Sequence, residues 1–181
     1  ASSAAVYGDC PDSPIHEASP RQPLSAYGAD KLGCELHARV AGHVHGIPSA
    51  GLRFFNVYGP RQDPHGEAGV IAIFASKMLA GQAPTIYGDG NQTRDFTFVD
   101  DAVAATVLAA TAPRALGEVF NVGTGVETSV NDLYRTMADN AGVADDPEYA
   151  PARAGELARY SANGIRVVAE IDGQNQRFFE A

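Results

Sequence analysis

The chain has 181 residues, enough for one domain with a substantial core, and its 45% apolar and 19% charged residues are typical of a globular protein. Its net charge of −9 disfavours nucleic acid or an anionic membrane surface as a partner, and no apolar run approaches the roughly 20 residues of a membrane-spanning helix. The first residues lack the features of a secretory signal and the 2 cysteines are too few for a disulfide framework, so we expect a cytoplasmic protein with reduced thiols.

The first predicted elements are the end of a strand at residues 1–8, a proline-rich connection at 9–24 and a long helix at 26–46 that Ser25 can cap. The helix is apolar on two sides, so it needs two partners. We expect its small side chains to pack on a sheet, and its apolar stripe to be covered by another part of the chain or by the same stripe of a second subunit. The stripe consists of Ala29, Leu32, Leu36, Val40 and Val44, and the opposite side of Tyr27, Lys31, Cys34, Ala38 and Ala41.

The rest of the chain alternates strands and helices, which predicts an α/β fold with parallel strands. Gly123-Thr124-Gly125 lies between a strand and a helix, but a third glycine is missing, so we interpret it as a tight turn rather than a dinucleotide-binding turn. Strands are expected at 49–57, 85–87, 95–99 and 118–122. Helices are expected at 69–80 and 129–141, and between them a helix that Asp100 or Asp101 would cap and that ends at residue 111.

Tyr27 and Lys31 are one helical turn apart, so a phenol and an ammonium share one face of the predicted helix. A fixed positive charge favours the phenolate form, which makes a tyrosine a usable base. Ser3 adds a hydroxyl that can pass a proton to or from a substrate alcohol, although a capping role for Ser3 is equally compatible with its neighbours. Together the three residues are suited to alcohol–ketone chemistry.

A series of short motifs, in this order, resembles the extended short-chain dehydrogenase/reductase family, the NAD-dependent nucleotide-sugar epimerases and dehydratases. The resemblance extends to about residue 163. It implies the C-terminal part of a Rossmann-type doubly wound parallel sheet plus a small α/β substrate-binding region. The motifs are Ser2-Ser3-Ala4-Ala5-Val6-Tyr7-Gly8, Tyr27-Gly28-Ala29-Asp30-Lys31, Arg53-Phe54-Phe55-Asn56-Val57-Tyr58-Gly59-Pro60-Arg61, Ile86-Tyr87-Gly88-Asp89-Gly90, Thr93-Arg94-Asp95-Phe96 and Phe120-Asn121-Val122-Gly123.

The resemblance also implies a division of the chain. Residues 1–68 would be the second half of the dinucleotide-binding domain, and 69–181 mostly a nucleotide-sugar-binding region, with about 95–125 returning to the main sheet. In the family the Gly-rich turn lies far upstream of the Ser-Ser segment. We therefore expect a fragment that lacks the first half and part of the closing segment after Asn163, and that alone binds NAD poorly. The choice between NAD and NADP depends on the part that is absent.

By the same resemblance, Ser3, Tyr27 and Lys31 form the catalytic set with NAD as the cofactor. Tyr27 would take the proton of a sugar hydroxyl, Lys31 would bind the nicotinamide ribose and Ser3 the alcohol or ketone oxygen. Phe55 matches a cofactor-contacting position. In this family the long helix commonly builds a dimer interface, which favours a homodimer through residues 26–46.

The resemblance places a UDP-hexose substrate on residues of several segments. Asn56 would contact the diphosphate, although a turn-forming role also fits it. Arg94 and Arg153 would clamp the diphosphate and Glu156 would hold a ribose hydroxyl. Without the resemblance, these charged residues would be interpreted as members of surface ion pairs. The segments that cradle the base would be Gly69, Val70, Thr85, Ile86 and Tyr87, with core packing as the alternative for Tyr87.

Ala4 and Ala5 help to choose the reaction, because the dehydratases carry Asp-Glu and the decarboxylases Glu at this place. Alanine transfers no proton, so the resemblance favours epimerisation, with UDP-glucose and UDP-galactose first among the substrates. A dehydratase or reductase of the same family, or a non-catalytic nucleotide-sugar-binding fragment, stays open. His43 and His45 point apart on the helix and the other histidines show no ligand spacing, so we expect no metal.

Overall fold

The computed structural model describes residues 1–65, 69–144 and 146–152, which form a mixed α/β structure with mostly parallel strand pairs. The predicted fold class is confirmed. The strands are β1 (Ser2–Ser3), β2 (Gly51–Phe54), β3 (Asn56–Tyr58), β4 (Thr85–Tyr87), β5 (Thr93–Arg94), β6 (Phe96–Phe98), β7 (Val119–Val122), β8 (Thr128–Ser129) and β9 (Glu148–Ala150). The helices are α1 (Ala26–His45), α2 (Val70–Leu79), α3 (Val99–Thr111) and α4 (Val130–Ala141), with 3₁₀ turns at Ala4–Tyr7 and Pro113–Ala115.

The main sheet has the order β1-β2-β7, with both pairings parallel. Ser3 pairs with Phe54, and Phe54 pairs with Val122 on its other side. Because the carboxyl ends of parallel strands meet at one edge of a sheet, Ser3 and Phe55 lie along the same edge. In open α/β sheets this is the edge at which ligands bind.

The single strand expected at 49–57 is divided at Phe55, which corrects that prediction. The Phe55 amide donates to the Val122 carbonyl at 3.0 Å, and its ring is buried. The chain then leaves the main sheet, and β3 pairs in parallel with β6. An apolar run shows where strands form but not which partner each half pairs with. The antiparallel pair β5–β8 and the strand β9 were not predicted either.

Helix α1 has the predicted bounds and cap, because the Ser25 Oγ accepts a hydrogen bond from the Gly28 amide at 3.0 Å and Gly46 ends the helix in the left-handed conformation. The prediction of its two faces was partly wrong. Leu32 packs against the core of the 3₁₀ turn Ala4–Tyr7, whereas Cys34 is exposed. The outward stripe is therefore reduced to Leu36, Val40 and Val44, which are 53%, 55% and 61% exposed.

Helix α3 begins at Val99, and its N-cap residue Phe98 makes no side-chain capping bond. The prediction that Asp100 or Asp101 caps this helix was therefore wrong. Both carboxylates lie in the first turn instead, where the helix dipole favours negative charge. Burial, and then the neighbouring Asp100, raises the pKa of Asp101 above its ordinary value.

The apolar core consists of three clusters of buried side chains. The first packs α3 on β2 and β7, and the second joins the 3₁₀ turn Ala4–Tyr7 to Ile15 and Phe55. The third packs α2 and α4 around Ile86 of β4 and includes the edge-to-face pair Phe74–Tyr134. Within the ranges 1–65, 69–144 and 146–152, no helix has both the length and the hydrophobicity needed to cross a membrane.

Candidate active site

A cavity of about 400 Å³ lies beyond the carboxyl end of β2. It receives Tyr27 from the first turn of α1, and Gly69 and Val70 from the start of α2. Three segments that are distant in sequence thus meet at one place. Five of the predicted site residues are brought together here, and Gln62 joins them. The wall includes Tyr27, Phe55, Asn56, Gln62, Gly69 and Val70.

Tyr27 and Lys31 approach each other on the first turns of α1. The Lys31 Nζ lies 5.6 Å from the centroid of the Tyr27 ring, within the range of a cation–π contact. The same ammonium donates to the Ala1 carbonyl at 3.3 Å, which joins the helix to the chain just before β1. Half of the Tyr27 side chain is exposed, so its phenol is open to a ligand in the cavity.

Ser3 ends β1 and caps the 3₁₀ turn that follows, because its Oγ accepts a hydrogen bond from the Ala5 amide at 3.2 Å. The capping role that the sequence left open is thus observed. An accepting hydroxyl oxygen keeps its own proton for another partner. Ser3 is half-buried at the edge of the sheet where the cavity lies, so capping and ligand binding are compatible.

Gly28 allows α1 to approach the turn behind Ser3 very closely. A Cβ at Gly28 would lie 2.5 Å from the Ala5 carbonyl oxygen and 3.0 Å from the Pro23 Cβ. Backbone atoms at that distance cannot give way cheaply, so the position requires glycine. Since Gly28 lies between Tyr27 and Lys31, this contact sets how near the phenol and the ammonium come to β1.

Two amide side chains in the cavity wall present buried polar atoms. The Asn56 Nδ2 and the Gln62 Oε1 have no hydrogen-bond partner among the described residues. The other amide atom of Gln62, Nε2, donates to the Val57 carbonyl at 3.1 Å, which fixes the side chain. Buried polar atoms without a partner are costly, and they mark places where a ligand would satisfy them. Gln62 was not predicted; its place shortly after a strand that ends at Tyr58 was the available signal.

Asp95 holds the turn at Gly123-Thr124-Gly125 next to the cavity. Its buried carboxylate accepts hydrogen bonds from the Thr124 amide at 2.8 Å, the Thr124 hydroxyl at 2.7 Å and the Gly125 amide at 2.9 Å. The backbone carbonyl of Asp95 accepts a hydrogen bond from the backbone amide of Asn56 at 3.0 Å, so Asp95 connects Asn56 to that turn. This contact fits the prediction that Gly123–Gly125 is a tight turn.

Asp95→Asn is expected to lower the free energy of unfolding by about 2–3 kcal/mol. The NH₂ group of the asparagine would face one of the Thr124 or Gly125 donors and could not accept its hydrogen bond. Chemical denaturation of the purified variant measures this loss. Asp139→Asn is the matched control, since Asp139 is exposed on α4 and its substitution should leave stability unchanged. Equal stability of the two variants would contradict the clamping role of Asp95.

Several other predicted ligand residues lie outside this cavity or outside the described residues. The Arg94 guanidinium donates to the Thr93 carbonyl at 2.8 Å on β5. On β4, the Thr85 hydroxyl accepts from the Lys77 ammonium at 3.2 Å and the Tyr87 carbonyl accepts from the Gln92 amide at 2.8 Å. Arg153 and Glu156 lie outside the described residues, so their predicted roles stay predictions.

Ile86 is 1% exposed in the cluster between α2 and α4, so its side chain serves the core. Contact of this segment with a ligand would therefore come from its backbone or from its neighbours. Metal binding has no visible site either: the parts of the chain that the structure describes contain no group of three or more His, Cys, Asp or Glu side chains able to hold an ion.

A buried ion pair behind the cavity was also missed. Arg53 of β2 and Glu35 of α1 meet at 2.7 Å, with side chains 1% and 7% exposed. The signal was an arginine inside the strand predicted at 49–57, since a charge that becomes buried requires a partner. Burial alone would raise the pKa of the Glu35 carboxyl, but hydrogen bonds from Arg53 and Ser2 outweigh it and leave that pKa below its ordinary value.

Comparison with known proteins gives consistent matches along the chain. Residues 1–123 match the model of the NAD dependent epimerase/dehydratase family. The UDP-glucose 4-epimerase of Mycolicibacterium smegmatis is 43% identical over 175 residues, which are 97% of this chain and 56% of that protein.

Two solved structures are similar over nearly the whole chain. The UDP-glucose 4-epimerase of Thermotoga maritima with UDP-glucose has a TM-score of 0.88 at 38% identity, covering 94% of this chain and 54% of that one. The UDP-glucose 4-epimerase of Thermus thermophilus in complex with NAD has a TM-score of 0.84 at 39% identity, covering 93% and 56%. The chain thus spans about half the length of the relatives it matches. By its sequence and its fold, it belongs to the NAD dependent epimerase/dehydratase family.

Proposed function

We propose that the protein containing this chain is an NAD-dependent nucleotide-sugar epimerase that interconverts UDP-glucose and UDP-galactose. The observation that carries the proposal is the cavity whose wall includes both Tyr27 and Asn56, whose buried Nδ2 has no hydrogen-bond partner among the described residues. A base and a donor for an anionic or hydroxylated ligand in one cavity suit a sugar nucleotide. The named relatives with UDP-glucose and with NAD are similar at 38% and 39% identity, which supports the same ligands for this protein.

The proposed chemistry divides the work among three side chains. Tyr27 takes the proton of the sugar C4 hydroxyl, and Lys31 places a positive charge beside its ring. Ser3 hydrogen-bonds the same sugar oxygen, which becomes a ketone and then an alcohol again. The chemistry that NAD supplies when bound is the reversible acceptance of a hydride from the sugar carbon. Lys31 and Phe55, beside Tyr27, are the residues of this chain that would hold it.

Binding of the diphosphate is assigned to other groups of the cavity wall. Gly69 is the N-cap of α2, so the positive end of the helix dipole lies at the cavity that Asn56 also lines. Arg94, Arg153 and Glu156 complete the proposed binding set, together with the segment Thr85–Tyr87 for the base. These assignments follow the family pattern, and substitution of each residue tests them.

Epimerisation is favoured over dehydration by the residues that follow Ser3. Ala4 is 1% exposed in the core of the 3₁₀ turn, and neither Ala4 nor Ala5 has a group that transfers protons. Elimination of water from C5 and C6 requires a further acid–base pair near the sugar. A simple return of hydride to the opposite face of the ketone does not.

The test is an assay of the complete gene product with NAD and UDP-glucose, in which the products are separated by chromatography. We expect UDP-galactose and no 4-keto-6-deoxy sugar. Formation of the keto-deoxy sugar would replace the proposal with a dehydratase. No conversion of either UDP-glucose or UDP-galactose would refute the proposed substrate pair.

Asn56→Ala is expected to raise KM for the UDP-sugar by about 10- to 100-fold, because a hydrogen bond to a charged ligand group contributes roughly 1.5–3 kcal/mol. The rate constant kcat should change little, since a contact made equally in the ground and transition states affects binding alone. Steady-state kinetics measure both constants. The control is Asn140→Ala on the exposed side of α4, which should leave KM unchanged.

We further propose that the complete protein is a cytoplasmic homodimer that pairs through α1, and that the chain divides near residue 68 into two parts, with about 95–125 returning to the main sheet. The exposed stripe of Leu36, Val40 and Val44 supports the pairing, since it offers an apolar surface along one helix. Light scattering of the complete gene product at micromolar concentration should give twice the monomer mass. A monomer mass would remove the dimer proposal.

A further inference from the structure

The ion pair between Arg53 and Glu35 has a bidentate geometry. The Arg53 Nε donates to the Glu35 Oε1 at 2.8 Å, and its Nη2 donates to Oε2 at 2.7 Å. The remaining Nη1 donates to the Tyr7 hydroxyl at 2.6 Å and to the Glu17 carbonyl at 3.0 Å. A planar guanidinium that uses its whole fork in this way leaves its partners little freedom to shift.

The pair belongs to a hydrogen-bonded network that joins the strands of the main sheet to α1. The Ser2 hydroxyl donates to the Glu35 Oε1 from β1. The Tyr7 hydroxyl donates to the Asn121 Oδ1 of β7 at 2.6 Å, and the Tyr7 ring lies 4.9 Å from the guanidinium carbon. The backbone amide of Asn121 in turn donates to the Glu17 Oε1 at 2.8 Å. Every strand of the main sheet thus contributes to the network.

This network lies directly behind the proposed catalytic residues. Glu35 is one helical turn after Lys31 on α1, and Ser2 adjoins Ser3 on β1. Arg53 of β2 lies opposite Ser2 and two residues before Phe55. A single carboxylate therefore connects the helix that carries Tyr27 and Lys31 to the strand that carries Ser3 and to the strand that leads into the cavity.

The network also occupies the carboxylate with which Lys31 would otherwise pair. A lysine four residues before a glutamate on a helix is close enough to pair with it. Here Oε1 accepts from Arg53 and Ser2, and Oε2 accepts from Arg53. The Lys31 ammonium instead donates to the Ala1 carbonyl and lies near the Tyr27 ring. The charged groups around Glu35 are Arg53 from β2 and Arg21 from the preceding connection, with Tyr7 and Glu17 behind Arg53.

Stability alone does not account for a buried ion pair at this place. The desolvation of two charges offsets much of their attraction, and apolar side chains of similar size often serve a core equally well. We propose that Arg53 and Glu35 are positioning residues for the reaction: together they fix α1 against β1 and β2, and Arg53 keeps the Glu35 carboxylate from drawing Lys31 away from Tyr27. This inference rests on the proposed function, because it assigns the pair a task in that site.

The test compares the complete wild-type gene product with Glu35→Gln and with the double variant Glu35→Leu/Arg53→Met. In both variants we expect kcat for UDP-hexose epimerisation to fall by about a hundredfold, because small misplacements of catalytic groups cost that much. KM should stay within about threefold, because neither side chain lines the proposed binding cavity.

The double variant separates positioning from folding. Apolar replacement of the pair should keep the melting temperature near that of the wild type while kcat stays low. A double variant that recovers both stability and wild-type kcat would overturn the inference. So would a folded Glu35→Gln variant with wild-type kcat.

A readout without turnover distinguishes this inference from the proposed function. Amide hydrogen exchange in α1 is measured for the wild type and for Glu35→Gln, both without substrate. Exchange in α1 should be faster in Glu35→Gln, because the helix loses a link to β1 and β2. Unchanged exchange would overturn the positioning role, whereas a wild type inactive on UDP-hexoses would overturn only the proposed function.

Discussion

Tyr27→Phe in the complete gene product is expected to lower kcat for UDP-hexose epimerisation by about 10²- to 10⁴-fold, the usual contribution of a positioned acid–base group. The substitution removes one oxygen and keeps the ring, so the contact with the Lys31 ammonium and the shape of the cavity wall persist. Steady-state kinetics should therefore show a loss in kcat with a small change in KM, because the proton transfer is needed only in the transition state.

Tyr149→Phe is the matched control for this experiment. Tyr149 is 57% exposed and Tyr27 is 50% exposed, so the two substitutions are made at similarly exposed residues. The Tyr149 hydroxyl donates to the Asn131 Oδ1 at 3.1 Å, on β9 away from the cavity. Its loss should leave kcat unchanged. Equal activity of Tyr27→Phe and the wild type would refute the role of Tyr27 as the base.

Gly28→Ala should reduce both stability and activity, although alanine is the better helix former. The added Cβ would lie 2.5 Å from the Ala5 carbonyl oxygen, so α1 must move away from the turn behind Ser3. Overpacking of this kind costs about 1–3 kcal/mol, and displacement of the phenol relative to Ser3 should lower kcat by about a hundredfold. Thermal unfolding and steady-state kinetics on one preparation measure both effects.

Gly33→Ala on the same helix gives the opposite expectation. A Cβ at Gly33 meets nothing within 4 Å among the described residues, so only the gain in helix propensity remains. This variant should gain up to about 1 kcal/mol of stability and keep its activity. If the two glycine variants behaved alike, close approach of α1 to the turn would not explain Gly28.

The bounds of α1 could be predicted from the sequence because local signals at both ends agree. Ser25 supplies a capping oxygen and Gly46 the left-handed conformation, and each depends on neighbours within one turn. Periodicity placed Leu36, Val40 and Val44 correctly on an outer face, but it placed Leu32 there too. Periodicity gives the angle of each side chain around the helix axis. How many of those side chains are covered depends on the shape of the surface on which the helix packs.

Prediction of the site was limited by groups whose roles depend on long-range contacts. The motif at Tyr27 and Lys31 carries its own geometry, because one helical turn brings the two side chains together. Gln62 and the pair Arg53–Glu35 carry no such local geometry. Their positions follow from the break at Phe55 and from the packing of α1 on β2, which a periodic pattern does not contain.

The separation of the apolar core has a consequence for how the protein unfolds. Phe55 belongs to the cluster of the 3₁₀ turn Ala4–Tyr7, whereas Val70 packs against the cluster between α2 and α4, and both residues line the cavity. Regions with separate cores can lose their structure in separate steps. A molecule that binds only when both walls are folded stabilises both at once. Ligand binding in the cavity should therefore replace two separate thermal unfolding transitions by a single one. The ligand would increase the cooperativity of unfolding as well as the stability.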